Sequence, residues 1–506
     1  AGIEANSGSL GMGISKAKGM AWAKNANKAG GRVMVMTGDG ELQEGQIWES
    51  LQTTAHQGVN NLTVIVDFNK FQSDKNFKHI IDLGDLESKF AIFGWHVERC
   101  DGHDFAALAQ VFYKLKKITD KPKVLIDETV KGKGISFMEG PVELPDENYL
   151  YKWHAGAPDD DAFEAGYREL TERINKQLQR AGLKDLASEV IETREKNRVK
   201  LKDTAEKVVT AYGQALVELG KDRQDMVVMD ADLSADCGLR PFENTYPQRF
   251  IEGGIAEQDM VSTAGGLALQ GMLPVVNSFG VFLSSRANEQ IYNNATEKTK
   301  IIYVCHYAGL IPAGPGKSHQ SIRDISLFGA LPNIVSIEPA NAVETKEAMK
   351  WCVNEATQSC MVRLAISPSP RTIPLPDDYQ FIPGKGTVVM DGQDAVLFAY
   401  GPVMLNEAML AAETLQEQNV SLKVVNFPWL NQIDEDWFEE SVADCEAVFV
   451  LDNHSQFGGL GDQVLNTAQK RDGLRAKRYM KFGITEYPAC GTPPEVLAYH
   501  KLDGKS

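Results

Sequence analysis

The chain has 506 residues, of which 43% are hydrophobic and 24% are charged. At roughly 150 residues per domain this length gives three to four domains, so the chain can build large apolar cores without disulfides or metals. The composition excludes a fibrous or largely disordered protein, and the net charge of −17 argues against nucleic acid or an anionic membrane as a partner.

The seven cysteines are scattered along the chain and never have CxxC spacing. This pattern argues against a disulfide framework or a zinc knuckle and predicts a cytoplasmic protein. The sequence predicts no membrane span, because no run reaches about 18 apolar residues, and no signal peptide. The glycine-rich segment Asn6–Gly13 has no strand before it. We therefore expect an upstream segment that is missing or is supplied by another chain.

The first region alternates helical and strand patterns. After a helical pattern over Ile14–Lys24, three short apolar runs predict strands: Arg32–Thr37, Leu62–Val66 and Val124–Ile126. Such alternation is typical of a parallel α/β sheet. The charged, helix-prone segment Phe163–Lys202 predicts a connection, so the first domain is assigned to residues 1–200.

The same alternation returns twice. Predicted strands of a second region are Met226–Met229, Leu273–Val276 and Ile301–Val304, and those of a third are Ala395–Ala399, Leu422–Val425 and Ala447–Leu451. A proline-rich stretch between them predicts a linker. The second domain is therefore assigned to residues 201–380 and the third to 381–506. The predicted fold class is α/β, with three consecutive domains whose mostly parallel sheets are flanked by helices.

Polar residues follow the first two predicted strands. Gly38-Asp39-Gly40 ends one strand and Asn69 follows the other, so both side chains should lie at the carboxyl edge of a parallel sheet. A carboxylate, an amide oxygen and the nearby Phe71 carbonyl suit Mg²⁺, which keeps its other positions for phosphate oxygens and water. Gly38 and Gly40 would let the backbone approach a diphosphate closely.

Several motifs occur in order along the chain: Ser7–Gly13, Gly38–Glu49, Asp67–Asn69, Trp95–Val97, Asp101–Asp104, Val130–Gly134, Trp153–Pro158, Gly254–Gln258, Ser318–Gln320, Gly401–Val403 and Gly458–Gly461. Together they resemble the transketolase family, and specifically a divergent or split-type member without the usual N-terminal segment. The resemblance covers essentially the whole chain. The family implies thiamine diphosphate with Mg²⁺, for which Ca²⁺ or Mn²⁺ can substitute.

The resemblance implies roles for particular residues. Glu257 would hydrogen-bond the aminopyrimidine ring and promote loss of a proton from the thiazolium carbon. The implied catalytic histidines are His154, His306 and His319, of which His306 would face the far end of the sugar. The implied cofactor-binding residues are Gly8, Leu10, Gly38, Asp39, Gly40, Glu44, Asn69, Phe71, Asp232, Glu257, Phe279 and Phe282, with Asp39, Asn69 and Phe71 also binding the metal.

The family also implies the assembly and the reaction. One subunit's first domain would hold the diphosphate while its partner's second domain supplies the glutamate, so we expect a homodimer, or assembly with a chain that supplies the upstream segment. The implied reaction moves a two-carbon ketol unit from a ketose to an aldehyde. Two alternatives stay open: a decarboxylating enzyme, resembling deoxyxylulose phosphate synthase or the first component of 2-oxo acid dehydrogenases, and a non-catalytic transketolase-like subunit.

The substrate pocket departs from the family pattern. The positions where relatives bind the sugar phosphate hold Val209, Asp236 and Ile366, and Pro315 stands where an aspartate usually contacts a substrate hydroxyl. Four cations could replace the missing contacts: Arg240, Lys317, Arg323 and Arg371. The sequence therefore favours a donor without a phosphate at the usual position.

Overall fold

The computed structural model describes residues 2–145, 149–186, 207–470 and 473–506. Within these ranges no helix combines the length and the apolar character that a membrane span requires. The chain forms two compact units. The first comprises Ala1–Val199 with Gly254–Ala256, and the second comprises Lys200–Gly253 with Glu257–Ser506.

The first unit contains a four-stranded parallel sheet in the order β1-β2-β4-β3. Its helices and strands are α1 (Gly13–Ala26), β1 (Val33–Gly38), α2 (Gly45–His56), β2 (Leu62–Phe68), α3 (Leu86–Ile92), β3 (His96–Asp101), α4 (Phe105–Lys117), β4 (Lys123–Glu128) and α5 (Asp160–Arg180). The sequence did not predict β3, whose side chains are half-buried or exposed and lack a continuous apolar run.

The second unit begins with a six-stranded parallel sheet in the order β6-β5-β7-β8-β10-β9. Its elements are α6 (Val208–Asp222), β5 (Met226–Asp230), α7 (Arg240–Thr245), β6 (Phe250–Glu252), α8 (Glu257–Leu269), β7 (Leu273–Phe279), α9 (Gly280–Arg286), α10 (Asn288–Thr296), β8 (Ile302–His306), α11 (Asp324–Gly329), β9 (Ile334–Ile337), α12 (Ala342–Asn354) and β10 (Ser359–Leu364). The strands β5, β7, β8 and β10 are buried along their whole length, as expected for a sheet covered on both faces.

A five-stranded sheet in the order β11-β13-β12-β14-β15 completes the second unit. Its elements are β11 (Thr387–Met390), β12 (Ala395–Ala399), α13 (Gly401–Gln416), β13 (Leu422–Asn426), α14 (Glu435–Val442), β14 (Ala447–Ser455), α15 (Leu460–Lys470), β15 (Arg478–Ile484) and α16 (Pro493–Tyr499). Only the edge strand β11 runs antiparallel to its neighbour, among the strands of this sheet in the described residues.

A buried arginine joins the two sheets of the second unit. The Arg363 guanidinium forms ion pairs with Asp324, at 2.9 Å, and with Glu338. It also donates a hydrogen bond of 3.1 Å to the Asn453 carbonyl oxygen in β14. Arg363, Asp324 and Glu338 are buried. Their ion pairs offset the free-energy cost of removing these charged groups from water.

The predicted fold class is confirmed: three mostly parallel sheets are flanked by helices. The boundary placed at residue 200 lies outside the described residues. The boundary placed at residue 380 falls in the segment between β10 and β11, which contains no helix or strand in the described chain. Both domain boundaries remain predictions.

Candidate active site

The predicted metal ligands meet at the carboxyl edge of the first sheet. Strands β1 and β2 are parallel neighbours, and Gly38 is paired with Asp67. The residues that follow each strand therefore leave the sheet side by side. The Asp39 carboxylate accepts hydrogen bonds from the Gly40 N–H, at 2.8 Å, and from the Lys70 N–H, at 2.5 Å.

The turn after β2 carries the other two predicted ligands. The Asn69 Oδ1 atom accepts a hydrogen bond of 3.0 Å from the Phe71 N–H. Lys70, which lies between them, has a φ of 72°, a left-handed conformation that is uncommon for residues other than glycine. Because the Lys70 N–H bonds to Asp39, the carboxylate lies against the turn that holds the Asn69 amide and the Phe71 carbonyl.

A lysine occupies the neighbourhood of these oxygen atoms. The Lys131 Nζ donates a hydrogen bond of 3.2 Å to the Phe71 carbonyl oxygen and lies 2.8 Å from the His154 Nδ1. Burial raises the pKa of Asp39 to about 6, against the opposing effect of its two backbone hydrogen bonds. Partial desolvation and the Lys131 ammonium lower the pKa of His154 to about 4, which keeps this imidazole neutral at pH 7.

These oxygen donors fit a hard cation. One carboxylate, one amide oxygen and one carbonyl leave room for phosphate and water ligands, which is the usual composition of a magnesium–phosphate site. In the described parts of the chain, no group of three or more His, Cys, Asp or Glu side chains could hold a metal. A site here would therefore depend on the amide and carbonyl oxygens, as the sequence predicted.

The glycine loop lies before α1. This loop is the segment Asn6–Gly13, in which Gly8 and Leu10 belong to neither a helix nor a strand. The Gly11 N–H donates a hydrogen bond of 2.8 Å to the Glu41 carboxylate. Gly11 has a φ of 88°, and a Cβ atom there would lie 2.9 Å from the Cβ of the buried Glu44. Only glycine fits this close approach between the loop and the residue that precedes α2.

A second group of predicted residues lies in the second unit. Glu257 is the first residue of α8 and is 2% exposed. Its Oε1 accepts a hydrogen bond of 2.9 Å from the Arg286 guanidinium. Its Oε2 is buried and has no hydrogen-bond partner among the described residues. One carboxylate oxygen is thus fixed by an ion pair, and the other can accept a hydrogen bond from a ligand.

Aromatic rings surround the end of β7. Phe279 and Phe282 are stacked, with ring centroids 5.8 Å apart. The His319 ring lies 5.8 Å from Phe279 and 5.3 Å from Phe282, and the Tyr307 ring lies 5.2 Å from Phe279. We call these four residues the aromatic cluster. Burial and the Arg286 charge lower the pKa of His319, so its imidazole is neutral at pH 7.

The His306 side chain and the Asp232 backbone bond to groups outside the aromatic cluster. His306 is fully buried, and its Nε2 lies 3.1 Å from the Asn277 Oδ1, next to the Tyr212 ring. Burial lowers its pKa to about 3, so it stays neutral. Asp232 has a φ of 60°, and its N–H donates a hydrogen bond of 3.0 Å to Glu252.

Comparison with known proteins assigns the chain to a family. The transketolase thiamine diphosphate-binding domain matches residues 1–144, the pyrimidine-binding domain residues 206–367, and the C-terminal domain residues 384–506. Transketolase-like protein 2 of Mus musculus is 30% identical over 507 residues, which cover 98% of this chain and 78% of that protein. The chain belongs to the transketolase family.

Other members of the transketolase family agree with this assignment. Human transketolase is 28% identical over 98% of this chain and 78% of its own length. A split-gene transketolase, in an inactive β4 tetramer, has a TM-score of 0.53 at 32% identity and covers 60% of this chain and 95% of its own. The transketolase of Campylobacter jejuni shares the fold with a TM-score of 0.52 at 19% identity, over 98% of this chain and 81% of its own. The predicted family is confirmed.

Sequence reasoning missed three residues that contact predicted site residues, one in the first unit and two in the second. Lys131 lies in the motif Val130–Gly134, which supported the family resemblance but gave no role to the lysine side chain. Arg286 follows Phe282 by four positions, a spacing that places side chains on one helix face, and its guanidinium lies 4.5 Å from the Phe282 ring centroid. Tyr307 directly follows His306, and no signal in the sequence distinguished which of these two joins the aromatic cluster.

Proposed function

We propose that the protein transfers a two-carbon ketol unit from a ketose donor to an aldehyde acceptor, using thiamine diphosphate and Mg²⁺. The observation that carries this proposal is the Glu257 carboxylate. Arg286 holds one of its oxygens, and the second is buried and has no partner in the described part of the chain. Glu257 lies in the region that matches the pyrimidine-binding domain. A buried carboxylate in this state suits a hydrogen bond to an aminopyrimidine ring.

The residues of the first unit support binding of the diphosphate end. Asp39, Asn69 and the Phe71 carbonyl would hold Mg²⁺, and Ca²⁺ or Mn²⁺ could take its place. The backbone N–H groups of the glycine loop, around Gly8 and Leu10, would contact phosphate oxygens. When bound, thiamine diphosphate supplies the electron sink that lets the bond between the second and third carbons of a ketose break.

The residues of the second unit support the proton transfers. Arg286 orients the Glu257 carboxylate, which would hold the proton shared with the aminopyrimidine ring. Phe279 and Phe282 offer apolar faces for that ring. His319 is neutral at pH 7, and so is His154 in the first unit, so each can accept a proton from a sugar hydroxyl.

We propose that the active form is an assembly, either a homodimer with its active sites at the subunit interface or a complex with a chain that supplies an upstream segment. The edge strand β1 supports this. Its Met34 and Met36 side chains are 51% and 67% exposed, and association would cover these apolar side chains. Mass photometry of the isolated protein with and without thiamine diphosphate tests the homodimer: a monomer under all conditions would exclude it. A monomer that also lacks ketol transfer would be the result expected for the complex with a second chain.

One experiment separates the proposed function from its two alternatives. The protein would be incubated with thiamine diphosphate, Mg²⁺, an aldehyde acceptor and either a ketose or pyruvate, with mass-spectrometric detection of products. A new ketose from the ketose donor supports ketol transfer. Carbon dioxide from pyruvate would instead indicate the decarboxylating enzyme. Cofactor binding by calorimetry without any product would indicate the non-catalytic subunit.

A further inference from the structure

Asp67, near the end of β2, contacts two of the residues proposed to bind the metal. Its carbonyl oxygen accepts a hydrogen bond of 3.2 Å from the Asp39 N–H. Its carboxylate Oδ2 accepts a hydrogen bond of 3.3 Å from the side-chain amide of Asn69. The backbone of Asp67 thus contacts one proposed ligand, and its side chain contacts the other.

The second carboxylate oxygen of Asp67 also has a partner. Its Oδ1 accepts a hydrogen bond from the hydroxyl of Thr129, the residue that directly follows β4. The Thr129 N–H donates a hydrogen bond of 3.3 Å to the Phe68 carbonyl oxygen. Because Thr129 is held by its backbone and bonds through its hydroxyl, it fixes the rotation of the Asp67 carboxylate.

These contacts determine which atom of the Asn69 amide can face a cation. An amide group has one oxygen with two lone pairs and one NH₂ group that only donates. The NH₂ group donates to Asp67, and Oδ1 accepts a hydrogen bond of 3.0 Å from the Phe71 N–H. An amide turned by 180° would place two donors together at Phe71 and two acceptors together at Asp67, which costs free energy. Oδ1 is therefore the atom that can offer a lone pair to a metal.

The other two proposed ligands are held by different groups. The Asp39 carboxylate accepts hydrogen bonds from two backbone N–H groups. The Phe71 carbonyl oxygen accepts a hydrogen bond of 3.2 Å from the Lys131 ammonium group. A change of the Asp67 side chain leaves these bonds in place, so its effect on a metal would pass through Asn69.

We propose that Asp67 is a positioning residue, whose carboxylate is fixed by Thr129 and orients the Asn69 amide so that Oδ1 faces the metal ion. This inference rests on the metal site of the proposed function and adds to it a residue that acts through Asn69. Groups that orient a metal ligand in this way typically contribute about 10- to 100-fold to metal affinity.

The test measures the affinity for Mn²⁺ in the presence of thiamine diphosphate, from the electron paramagnetic resonance signal of the free ion. Asp67→Ala should weaken Mn²⁺ binding about 10- to 100-fold. Asp67→Asn keeps an oxygen that can accept from the Asn69 amide, and its own NH₂ group can donate to the Thr129 hydroxyl. Its affinity for Mn²⁺ should therefore stay within about threefold of the wild-type value.

Asp127 offers a matched control, because it is paired with Asp67 in the register of β2 and β4. Its Oδ1 has no hydrogen-bond partner in the described part of the chain. The hydrogen bonds of Asn69 within the described ranges go to Asp67 and Phe71 and not to Asp127. Asp127→Ala thus removes the same charge without disturbing the amide, and salt screens that charge, so we expect a change in affinity below about threefold.

Two results would overturn the inference. One is wild-type affinity for Mn²⁺ in Asp67→Ala. The other is an equal loss of affinity in Asp67→Ala, Asp67→Asn and Asp127→Ala, which would show that Asp67 acts only through its charge. If circular dichroism shows that Asp67→Ala does not fold, Thr129→Val decides. It removes the hydroxyl that fixes the carboxylate and should weaken Mn²⁺ binding about two- to tenfold, the net contribution of one hydrogen bond. Unchanged affinity in Thr129→Val would then reject the inference.

The same measurements separate this inference from the proposed function. If the wild type does not bind Mn²⁺ with thiamine diphosphate, the proposed metal site is wrong, and the role of Asp67 is rejected with it. If the wild type binds the metal and the cofactor but transfers no ketol unit, only the proposed reaction is contradicted. The Mn²⁺ affinities of the variants would still decide the role of Asp67.

Discussion

Glu257→Gln tests the proposed proton-transfer role with a minimal change of shape. Glutamine keeps the volume of the side chain, so the helix start and the neighbouring aromatic rings need not move. It removes the negative charge and the ability of the terminal group to hold the shared proton. Removing a positioned proton-transfer group costs roughly two to four orders of magnitude in rate, and we expect a loss in that range.

The structure also gives the expected cost in stability. Glu257 and Arg286 form an ion pair of 2.9 Å, with side chains only 3% and 10% exposed. The variant replaces this ion pair by a hydrogen bond from the Arg286 cation to a neutral amide oxygen, and a hydrogen bond to a charged group is worth about 1.5–3 kcal/mol. The free energy of unfolding should therefore fall by less than about 3 kcal/mol, which leaves the variant folded and able to bind the cofactor.

The assay is deuterium exchange at the thiazolium carbon of added thiamine diphosphate, followed by NMR, with calorimetry to confirm cofactor binding. Glu344→Gln is the matched control, because Glu344 is an equally buried glutamate that contacts Tyr379 and Asn426 in place of Arg286. We expect slow exchange in Glu257→Gln and normal exchange in the control. Exchange at the wild-type rate in Glu257→Gln, with cofactor bound, would refute the assigned role.

Three further predictions follow from the same structure. Asp39→Ala and Asn69→Ala should each abolish Mg²⁺-dependent binding of thiamine diphosphate in calorimetry, because each removes a metal-binding oxygen; unchanged affinity would refute the metal site. Burial raises the pKa of Glu344 from 4.5 to about 7 in the folded protein. The contribution of this proton to the free energy of unfolding is therefore fully present below pH 4.5 and is lost as the pH rises through 7. Urea unfolding at several pH values should show that Glu344→Gln removes about 3 kcal/mol of this pH dependence. If the free energy of unfolding depends on pH in the variant as in the wild type, the raised pKa of Glu344 is contradicted. Arg363→Met should lower the free energy of unfolding by about 3–5 kcal/mol, because it leaves buried carboxylates without a cation; a loss below 1 kcal/mol would show that they are protonated.

Local sequence patterns determined much of the fold. Short apolar runs followed by polar residues predicted most of the central strands, because a buried parallel strand needs apolar side chains on both faces, but the buried interior strand β10 was not predicted. The edge strand β3 escaped this reasoning, since its half-exposed side chains carry no continuous apolar signal. Strand ends also gave the proposed metal ligands: Asp39 and Asn69 follow neighbouring parallel strands, and the register of β1 on β2 brings them to one edge.

Only the tertiary structure decided which groups act on these residues. Arg286 is 29 positions after Glu257, and the packing of α8 against α9 makes their ion pair. Packing likewise placed Lys131 beside the Phe71 carbonyl and turned His306 into the core against Asn277. It also placed Tyr307 in the aromatic cluster, where its hydroxyl has no hydrogen-bond partner within the described ranges. The sequence fixes which chemical groups are available, whereas their partners, burial and protonation depend on distances between elements that no local pattern encodes.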